Sequence, residues 1–154
     1  MSNPQPTIHG MADVLPPGSL GVAAVDHITI TESDAASYNL RCLINGRRQD
    51  VITPGTYARL VIRGELVMSD TPMERRTCYG ALCCAHGDVL VGGLGLGMFA
   101  LAVARLSSVE SVTVIEREPD VRDLIWPRVL ARLPPARRRA AKVVIGEVFD
   151  WRPA

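Results

Sequence analysis

Three glycines at two-residue spacing, Gly93, Gly95 and Gly97, lie between two apolar segments. Glycine at such positions allows a sharp turn and lets a ligand approach the backbone without meeting a Cβ atom. A helix that begins after the turn would offer unpaired N–H groups at its N-terminus. Nineteen residues after Gly97, Glu116 ends a β-branched run, where a carboxylate can accept both hydroxyl groups of a ribose. Together the two features predict a nucleoside-binding site.

The spacing of these glycines is G-x-G-x-G, because Met98 follows Gly97 directly. Dinucleotide-binding loops have the pattern G-x-G-x-x-G, so a plain NAD site is disfavoured. A second interpretation stays open, in which the glycines form a tight turn without a ligand and Glu116 is a surface carboxylate.

The segments around the glycines have the pattern of a parallel sheet. Short apolar or β-branched runs predict strands at residues 88–92, 112–115 and 142–145. Apolar residues predict helices at residues 98–106 and 119–133. Strands that alternate with helices indicate an α/β fold with right-handed crossovers between parallel strands.

A β-hairpin is predicted before this sheet. Apolar residues alternate with polar ones at residues 27–31 and 38–44, as in half-buried strands. Asn45-Gly46 favours a type I′ turn, so residues 47–52 are expected to return as the partner strand.

A second hairpin is predicted at residues 57–68, and a helix follows it. Residues 71–74 combine a threonine N-cap, a proline at the first helical position and a glutamate that closes a capping box. The helix is expected to end near residue 85. Asp70 or Glu74 is a candidate to bind a substrate near the ligand cleft. The simpler interpretation is that Thr71 and Glu74 cap this helix and that Asp70 interacts with its positive N-terminal end.

The chain is expected to divide into three parts. Residues 1–19 are rich in proline and lack periodicity, which predicts a flexible leader. Residues 20–70 form the antiparallel hairpin unit, and residues 71–154 form a partial Rossmann-like domain.

Composition excludes several classes of partner. The formal net charge is +1, with 17 basic and 16 acidic residues. We therefore expect the protein to lack the basic surface that nucleic acid or an anionic membrane would bind. The longest apolar stretch, near residues 89–104, is interrupted by glycines and is too short for a membrane span. No secretory signal pattern opens the chain, which predicts a cytoplasmic protein.

The four cysteines are expected to be reduced, packed thiols, with no metal site. None of them forms a C-x-x-C pair, and no histidine lies at an interval that would complete a zinc site. They are Cys42, Cys78, Cys83 and Cys84.

Residues 89–97 (VLVGGLGLG), 108–121 (SVESVTVIEREPDV) and 144–151 (VIGEVFDW) resemble the class I S-adenosylmethionine-dependent methyltransferase superfamily. Within it they are most similar to spermidine synthases. Residues 43–49 (LINGRRQ) resemble the strand-turn-strand that opens that family, and Tyr57 stands where the family has a tyrosine.

The resemblance implies a methyltransferase-type, Rossmann-like sheet that binds S-adenosylmethionine or its decarboxylated form. Gly93, Gly95 and Gly97 would pass under the adenosyl and amino-acid part of the ligand, and Glu116 would hold the ribose.

Three further positions are carried over from the family. Glu147 takes the place of an aspartate beside the adenine and is one methylene longer. Gln49 would reach the aliphatic chain of the ligand, although a polar residue that faces solvent explains it equally well. Tyr57 is expected to be a packing aromatic more often than a ligand contact.

Two departures weigh against spermidine synthesis. Leu96 occupies a position that is acidic in spermidine synthases, so a cationic amine would lose its counter-charge there. The family's aspartate that helps to deprotonate the amine follows a fourth strand, and no residue here matches it.

We therefore expect binding of the sulfonium nucleoside with methyl transfer from it. Two alternatives stay open: aminopropyl transfer of the spermidine synthase type, and a non-catalytic remnant or assembly module that retains the nucleoside pocket.

The order of the parallel strands raises a further expectation. The family's sheet has seven strands in the order 3-2-1-4-5-7-6, and these residues supply the 3-2-1 part. The strand at residues 88–92 would then lie at an unpaired edge. Either the N-terminal strands, a second subunit or another chain covers it, or the sequence is a fragment of a longer enzyme.

Overall fold

The protein is described by a computed structural model over residues 6–152, and its fold is α/β with two separate sheets. The first sheet is antiparallel and has the order β1-β2-β3-β4. Its strands are β1 (Gly18–Leu20), β2 (Ala23–Ile30), β3 (Gly55–Ile62) and β4 (Glu65–Ser69).

The second sheet is parallel and has the order β5-β6-β7. Its strands are β5 (Gly87–Gly92), β6 (Val109–Glu116) and β7 (Ala141–Ile145). The helices are α1 (Glu32–Ile44), α2 (Pro72–Cys84), α3 (Met98–Val103), α4 (Pro119–Ala131) and α5 (Pro135–Arg138), and a short 3₁₀ turn spans Arg48–Asp50. The three strands, the alternation with helices and the parallel pairing predicted from the sequence are confirmed.

The second hairpin is also confirmed, and its turn has a clear cause. Arg63 and Gly64 connect β3 to β4 with φ values of 52° and 82°. Positive φ at both central residues is the geometry of a type I′ turn, which matches the twist of the flanking strands.

The first hairpin was predicted wrongly, because residues 32–44 form α1. Thr31 caps this helix: its hydroxyl accepts the Asp34 N–H at 3.2 Å, and the Asp34 carboxylate accepts the Thr31 N–H at 3.2 Å. Asn45 ends the helix and Gly46 follows with φ of 70°. Asn-Gly is a helix-ending pair as well as a turn pair, and the capping box decides between the two structures.

The helix start at residue 72 is confirmed, but its capping box is not. The Thr71 side chain makes no capping hydrogen bond, and its hydroxyl lies 3.1 Å from that of Ser69. The burial of Asp70 disfavours its interpretation as a substrate-binding residue. It is fully buried, and its carboxylate accepts the N–H of Ala58 at 2.7 Å and the N–H of Met11.

The N-terminal segment is packed, which corrects the expectation of a flexible leader up to residue 19. Ile8, Met11 and Leu15 belong to the hydrophobic core, and Leu15 accepts a hydrogen bond from His27 at 2.8 Å. Residues 1–5 of the predicted leader, and residues 153 and 154 of the predicted domain, lie outside the described residues.

One hydrophobic core contains side chains from both sheets, including Leu60 of β3 and Val114 of β6, with α4 packed against β1, β2, β6 and β7. Within residues 6–152, β5 pairs with β6 alone, so its other edge is unpaired as the sequence predicted.

All four cysteines are free thiols, and Cys42 is buried. Cys83 and Cys84 are exposed, so the expectation of packed thiols is wrong for these two. Among the described residues, no helix is long and apolar enough to cross a membrane.

Candidate functional site

A cleft of about 430 Å³ opens where β5 and β6 end and the glycine turn begins. Its walls come from both sheets, from α2, from α3 and from the start of α4. The residues that line it are Leu60, Ile62, Val67, Met68, Cys78, Val91, Gly92, Gly93, Leu94, Gly95, Met98, Phe99, Glu116, Arg117, Glu118 and Val121. A mostly apolar cleft with a few polar groups at the carboxyl ends of parallel strands is the usual place for a small ligand in an α/β protein.

Glu116 is the buried carboxylate of this cleft, with 7% of its surface exposed. Its Oε2 accepts the N–H of Leu94 at 2.8 Å, and its Oε1 accepts the N–H of Glu118 at 2.9 Å. The carboxylate therefore ties the end of β6 to the glycine turn. Each carboxylate oxygen can accept a second hydrogen bond, so capacity remains for hydroxyl groups of a ligand. The interpretation of Glu116 as a surface carboxylate is wrong.

The three glycines have positive φ values of 84°, 53° and 75°, but their surroundings differ. A Cβ atom on Gly93 would meet nothing within 4 Å, since this residue faces the open cleft. A Cβ atom on Gly97 would press against Val129 and Ile125 of α4. Gly97 therefore serves helix packing, and Gly93 lines the cleft.

Met68 of β4 packs against the glycine turn. Its Sδ accepts the N–H of Leu96 at 3.2 Å, and it stands where a side chain on Gly95 would be. The sequence contains no signal for this contact, because Met68 comes from the other sheet.

An ion pair stands at the rim of the cleft. Arg63 donates from Nη1 to Oε1 of Glu118 at 2.9 Å and from Nη2 to Oε2 at 3.2 Å. These hydrogen bonds hold the pKa of Glu118 below its usual value, so the carboxylate stays ionised over a wider pH range. Arg117 also lines the rim.

Three predicted ligand residues do not line the cleft: Gly97, Gln49 and Glu147. Gln49 is exposed in the 3₁₀ turn, because the strand that was to carry it does not form. Glu147 is exposed in the segment after β7. The structure therefore brings together Gly93, Gly95 and Glu116 at the cleft, with Gly97 behind them.

Tyr57 and Leu96 also lie outside the lining. The Tyr57 hydroxyl donates to the Thr53 carbonyl at 2.7 Å, and the Arg75 guanidinium lies 5.8 Å from its ring centre. Tyr57 is thus a packing aromatic. Leu96 is fully buried in the core and does not line the cleft.

A second cleft of about 430 Å³ lies between α1, the 3₁₀ turn and the start of α2. It is lined by Ile30, Asp34, Ser37, Tyr38, Arg41, Asp50, Val51, Ile52, Ser69, Thr71, Pro72 and Met73. The sequence prediction missed it, because a hairpin at residues 38–52 would not enclose this space.

Comparison with models of known protein families, with curated proteins and with solved structures finds no match for this chain.

Proposed function

We propose that the cleft beside Glu116 binds an adenosyl sulfur ligand, and that the protein is a spermidine-synthase-like member of the methyltransferase superfamily with a Rossmann-like parallel sheet. The observation that carries the proposal is the hydrogen bond from Leu94 N–H to Glu116 Oε2, at 2.8 Å. It places a buried carboxylate directly beside a glycine turn at the carboxyl ends of two parallel strands, as ribose recognition requires.

The cleft suits a nucleoside in shape and in chemistry. Its volume falls within the range of small-ligand sites, which is roughly 300 to 1,000 Å³. Leu60, Ile62 and Val121 offer an apolar wall to an adenine ring, and Gly93 leaves space for close approach to the backbone. Glu118 is neutralised by its ion pair with Arg63, so Glu116 is the carboxylate that remains to accept hydrogen bonds from a ligand.

S-adenosylmethionine would supply an activated methyl group on a positively charged sulfur, which passes to a nucleophile as its bond to sulfur breaks. The protein's own residues act by binding and alignment: Glu116 orients the ribose, and the glycine turn sets the position of the sulfur. We favour methyl transfer over aminopropyl transfer, because Leu96 is buried and gives the cleft no counter-charge for a cationic amine.

A second candidate is a non-catalytic module that keeps the shape of the pocket. The position of Met68 favours it, because this side chain already fills part of the glycine turn. A ligand would need Met68 to change rotamer before it could reach Gly95.

Calorimetric titration with S-adenosylmethionine, S-adenosylhomocysteine, decarboxylated S-adenosylmethionine and NAD tests the proposal. We expect micromolar binding of the first two ligands and weaker binding of the others. Preference for the decarboxylated ligand would support aminopropyl transfer instead. A folded protein that binds none of the four would overturn the proposal and favour the non-catalytic module.

Glu116→Gln localises the binding. It keeps one acceptor oxygen for the turn but removes the charge, and we expect the affinity for S-adenosylhomocysteine to fall by about 1–3 kcal/mol. Glu110→Gln, at an exposed position on the same strand, is the matched control. Thermal denaturation of both variants separates a binding effect from a loosened turn.

A further inference from the structure

Arginine side chains converge at the end of the parallel sheet where its strands begin. The Arg105 guanidinium donates to the carbonyl of Arg132 at 2.9 Å, at the end of α4. Arg138 donates to the carbonyls of Ala131 and Leu133, at 3.1 Å and 2.9 Å. Because these three carbonyl groups are consecutive in the chain, the guanidinium groups of Arg105 and Arg138 lie close together at the same helix end.

Two more guanidinium groups belong to this cluster. Arg137 donates to the carbonyl of Leu106 at 2.8 Å and to that of Val109 at 2.6 Å, so its guanidinium lies beside the loop between α3 and β6. Arg132 is exposed and donates to the carbonyl of Asp13. We call these four residues the basic end of the protein: Arg105, Arg132, Arg137 and Arg138.

Ion pairs do not neutralise the charge of the basic end. None of its four arginines belongs to an ion pair within residues 6–152, where the ion pairs use other arginines. Two carboxylates, Asp13 and Glu110, stand close to it in the chain, and the exposed Arg139 adds a further positive charge. Positive charge is therefore in excess here. The net charge of +1 for the whole chain does not exclude a basic surface, because the charges are unevenly distributed.

The contacts with carbonyl groups leave these arginines free capacity to bind an anion. Cations beside the last carbonyl groups of a helix stabilise that helix, which is the structural role of the cluster. Each guanidinium has five N–H groups and uses one or two of them in this way. The bound N–H groups hold the others in position, and a guanidinium pairs well with two oxygens of a phosphate.

We propose that the basic end binds the phosphate backbone of a nucleic acid without reading its base sequence. Nucleic-acid interfaces are polar and positively charged, whereas the centre of an interface between proteins is depleted in charge and rich in apolar side chains. The exposed large apolar side chains of the described residues all lie outside residues 105–110 and 131–140. An acidic protein would therefore find no apolar contact at the basic end, and an anionic membrane would find no side chain to insert.

The basic end and the glycine cleft lie at opposite ends of the parallel sheet. Val109, whose carbonyl contacts Arg137, is the first residue of β6, whereas the cleft opens where β5 and β6 end. The inference therefore does not depend on the ligand proposed for that cleft.

Fluorescence anisotropy of the full chain with a labelled oligouridine of about 20 nucleotides tests the proposal. We expect a dissociation constant of about 1–100 µM at about 50 mM salt. The logarithm of the association constant should fall with the logarithm of the salt concentration, with a slope of about −2 to −3, the value for about four phosphate contacts.

The double variant Arg105→Gln with Arg138→Gln removes two charges from the basic end. We expect its association constant to fall at least about fivefold and its salt slope to become less steep by about 1. The double variant Arg41→Gln with Arg48→Gln is the matched control. It removes the same charge from exposed arginines in α1 and in the 3₁₀ turn, and it should bind as the parent protein does.

The double variant Arg105→Lys with Arg138→Lys separates charge from helix capping. Lysine keeps the charge but lacks the planar set of N–H groups. Its association constant should therefore stay within about threefold of that of the parent protein. Thermal denaturation confirms that each variant is folded. An equal loss of binding in the lysine and glutamine variants would assign these arginines to helix capping alone.

Three further results would overturn the proposal. One is the absence of oligouridine binding at about 50 mM salt. The second is an equal loss of affinity in the glutamine variant of the basic end and in its matched control, which would mean that the attraction is not localised. The third is tighter binding of polyglutamate, or of vesicles that contain phosphatidylserine, which would assign the surface to an acidic protein or to a membrane.

Discussion

The Sδ of Met68 accepts the backbone N–H of Leu96 at 3.2 Å, so a side chain of the antiparallel sheet fills the glycine turn of the parallel sheet. Gly95 has no Cβ atom, and Met68 uses the space that this leaves. Because Gly95 has no side chain, Met68 of the antiparallel sheet can contact the glycine turn of the parallel sheet. A ligand that approached the turn at Gly95 would need the same space.

Met68→Ala is expected to open the cleft. Under the proposed function, the affinity for S-adenosylhomocysteine should rise about three- to tenfold, because the ligand no longer displaces a side chain. The free energy of unfolding should fall by about 1–2 kcal/mol, since Met68 is partly buried against the core. Calorimetry and chemical denaturation measure the two effects.

Met68→Leu is the control for this prediction. Leucine keeps most of the volume but cannot accept the Leu96 N–H, so the affinity should not rise. If Met68→Ala binds no more tightly than the parent protein, Met68 does not compete with the ligand.

Gly97→Ala and Gly93→Ala should lower the free energy of unfolding by different amounts. Both glycines have positive φ, which disfavours alanine by about 1–2 kcal/mol. At Gly97 the new Cβ atom also presses on Val129, so we expect the free energy of unfolding to fall by about 2–4 kcal/mol in total. At Gly93 the space is open, so the fall in the free energy of unfolding should come from the positive φ alone. Denaturant titration compares the two, and equal losses would contradict the packing role of Gly97.

Asp70→Asn is expected to loosen the N-terminal segment. The buried Asp70 carboxylate accepts N–H groups from both Met11 and Ala58, whereas an amide offers a single acceptor oxygen. One buried N–H group would lose its partner, at a cost of about 1–3 kcal/mol.

Limited proteolysis of the N-terminal segment, together with thermal denaturation, checks this prediction. Asp13→Asn, at an exposed carboxylate in the same segment, should have little effect on either measurement. If Asp70→Asn resists proteolysis as well as the parent protein does, the apolar residues of the segment are sufficient to hold it in place.

The cross-strand pair of Asp26 and Arg59 predicts a pH dependence of stability. Arg59 donates to both carboxylate oxygens at 2.7 Å, and these hydrogen bonds hold the pKa of Asp26 below its ordinary value of 3.8. A lowered folded-state pKa stabilises the protein above pH 3.8, and this contribution is lost as the pH falls through the folded value.

Asp26→Asn should therefore lower the free energy of unfolding at neutral pH by up to about 1 kcal/mol, because the pair is partly exposed. The difference from the parent protein should shrink as the pH drops below 3.8. Urea denaturation across a pH series measures it. A difference that stays constant down to acid pH would mean that the ion pair is not its source.

The local signals of the sequence determined the parallel sheet, because each of its strands and helices is marked by its own residues. Val112 to Ile115 are β-branched on a strand that is buried, and Pro72 and Pro119 each stand at the start of a helix. The glycine turn and Glu116 were predicted for the same reason, since both lie at strand ends that the local pattern identifies.

One error was local: residues 38–44 alternate like a strand, yet the Thr31 and Asp34 capping box, which the sequence itself contains, begins a helix before they are reached. Contacts between distant residues decided the rest. Gln49 then lies outside the cleft, and Met68 enters it from a different sheet. Asp70 is buried and accepts the N–H of Met11, 59 positions earlier in the chain. Periodicity and turn residues indicate the secondary structure that a segment prefers by itself. The positions of Met68 and Asp70 depend instead on which distant segments pack together in the core.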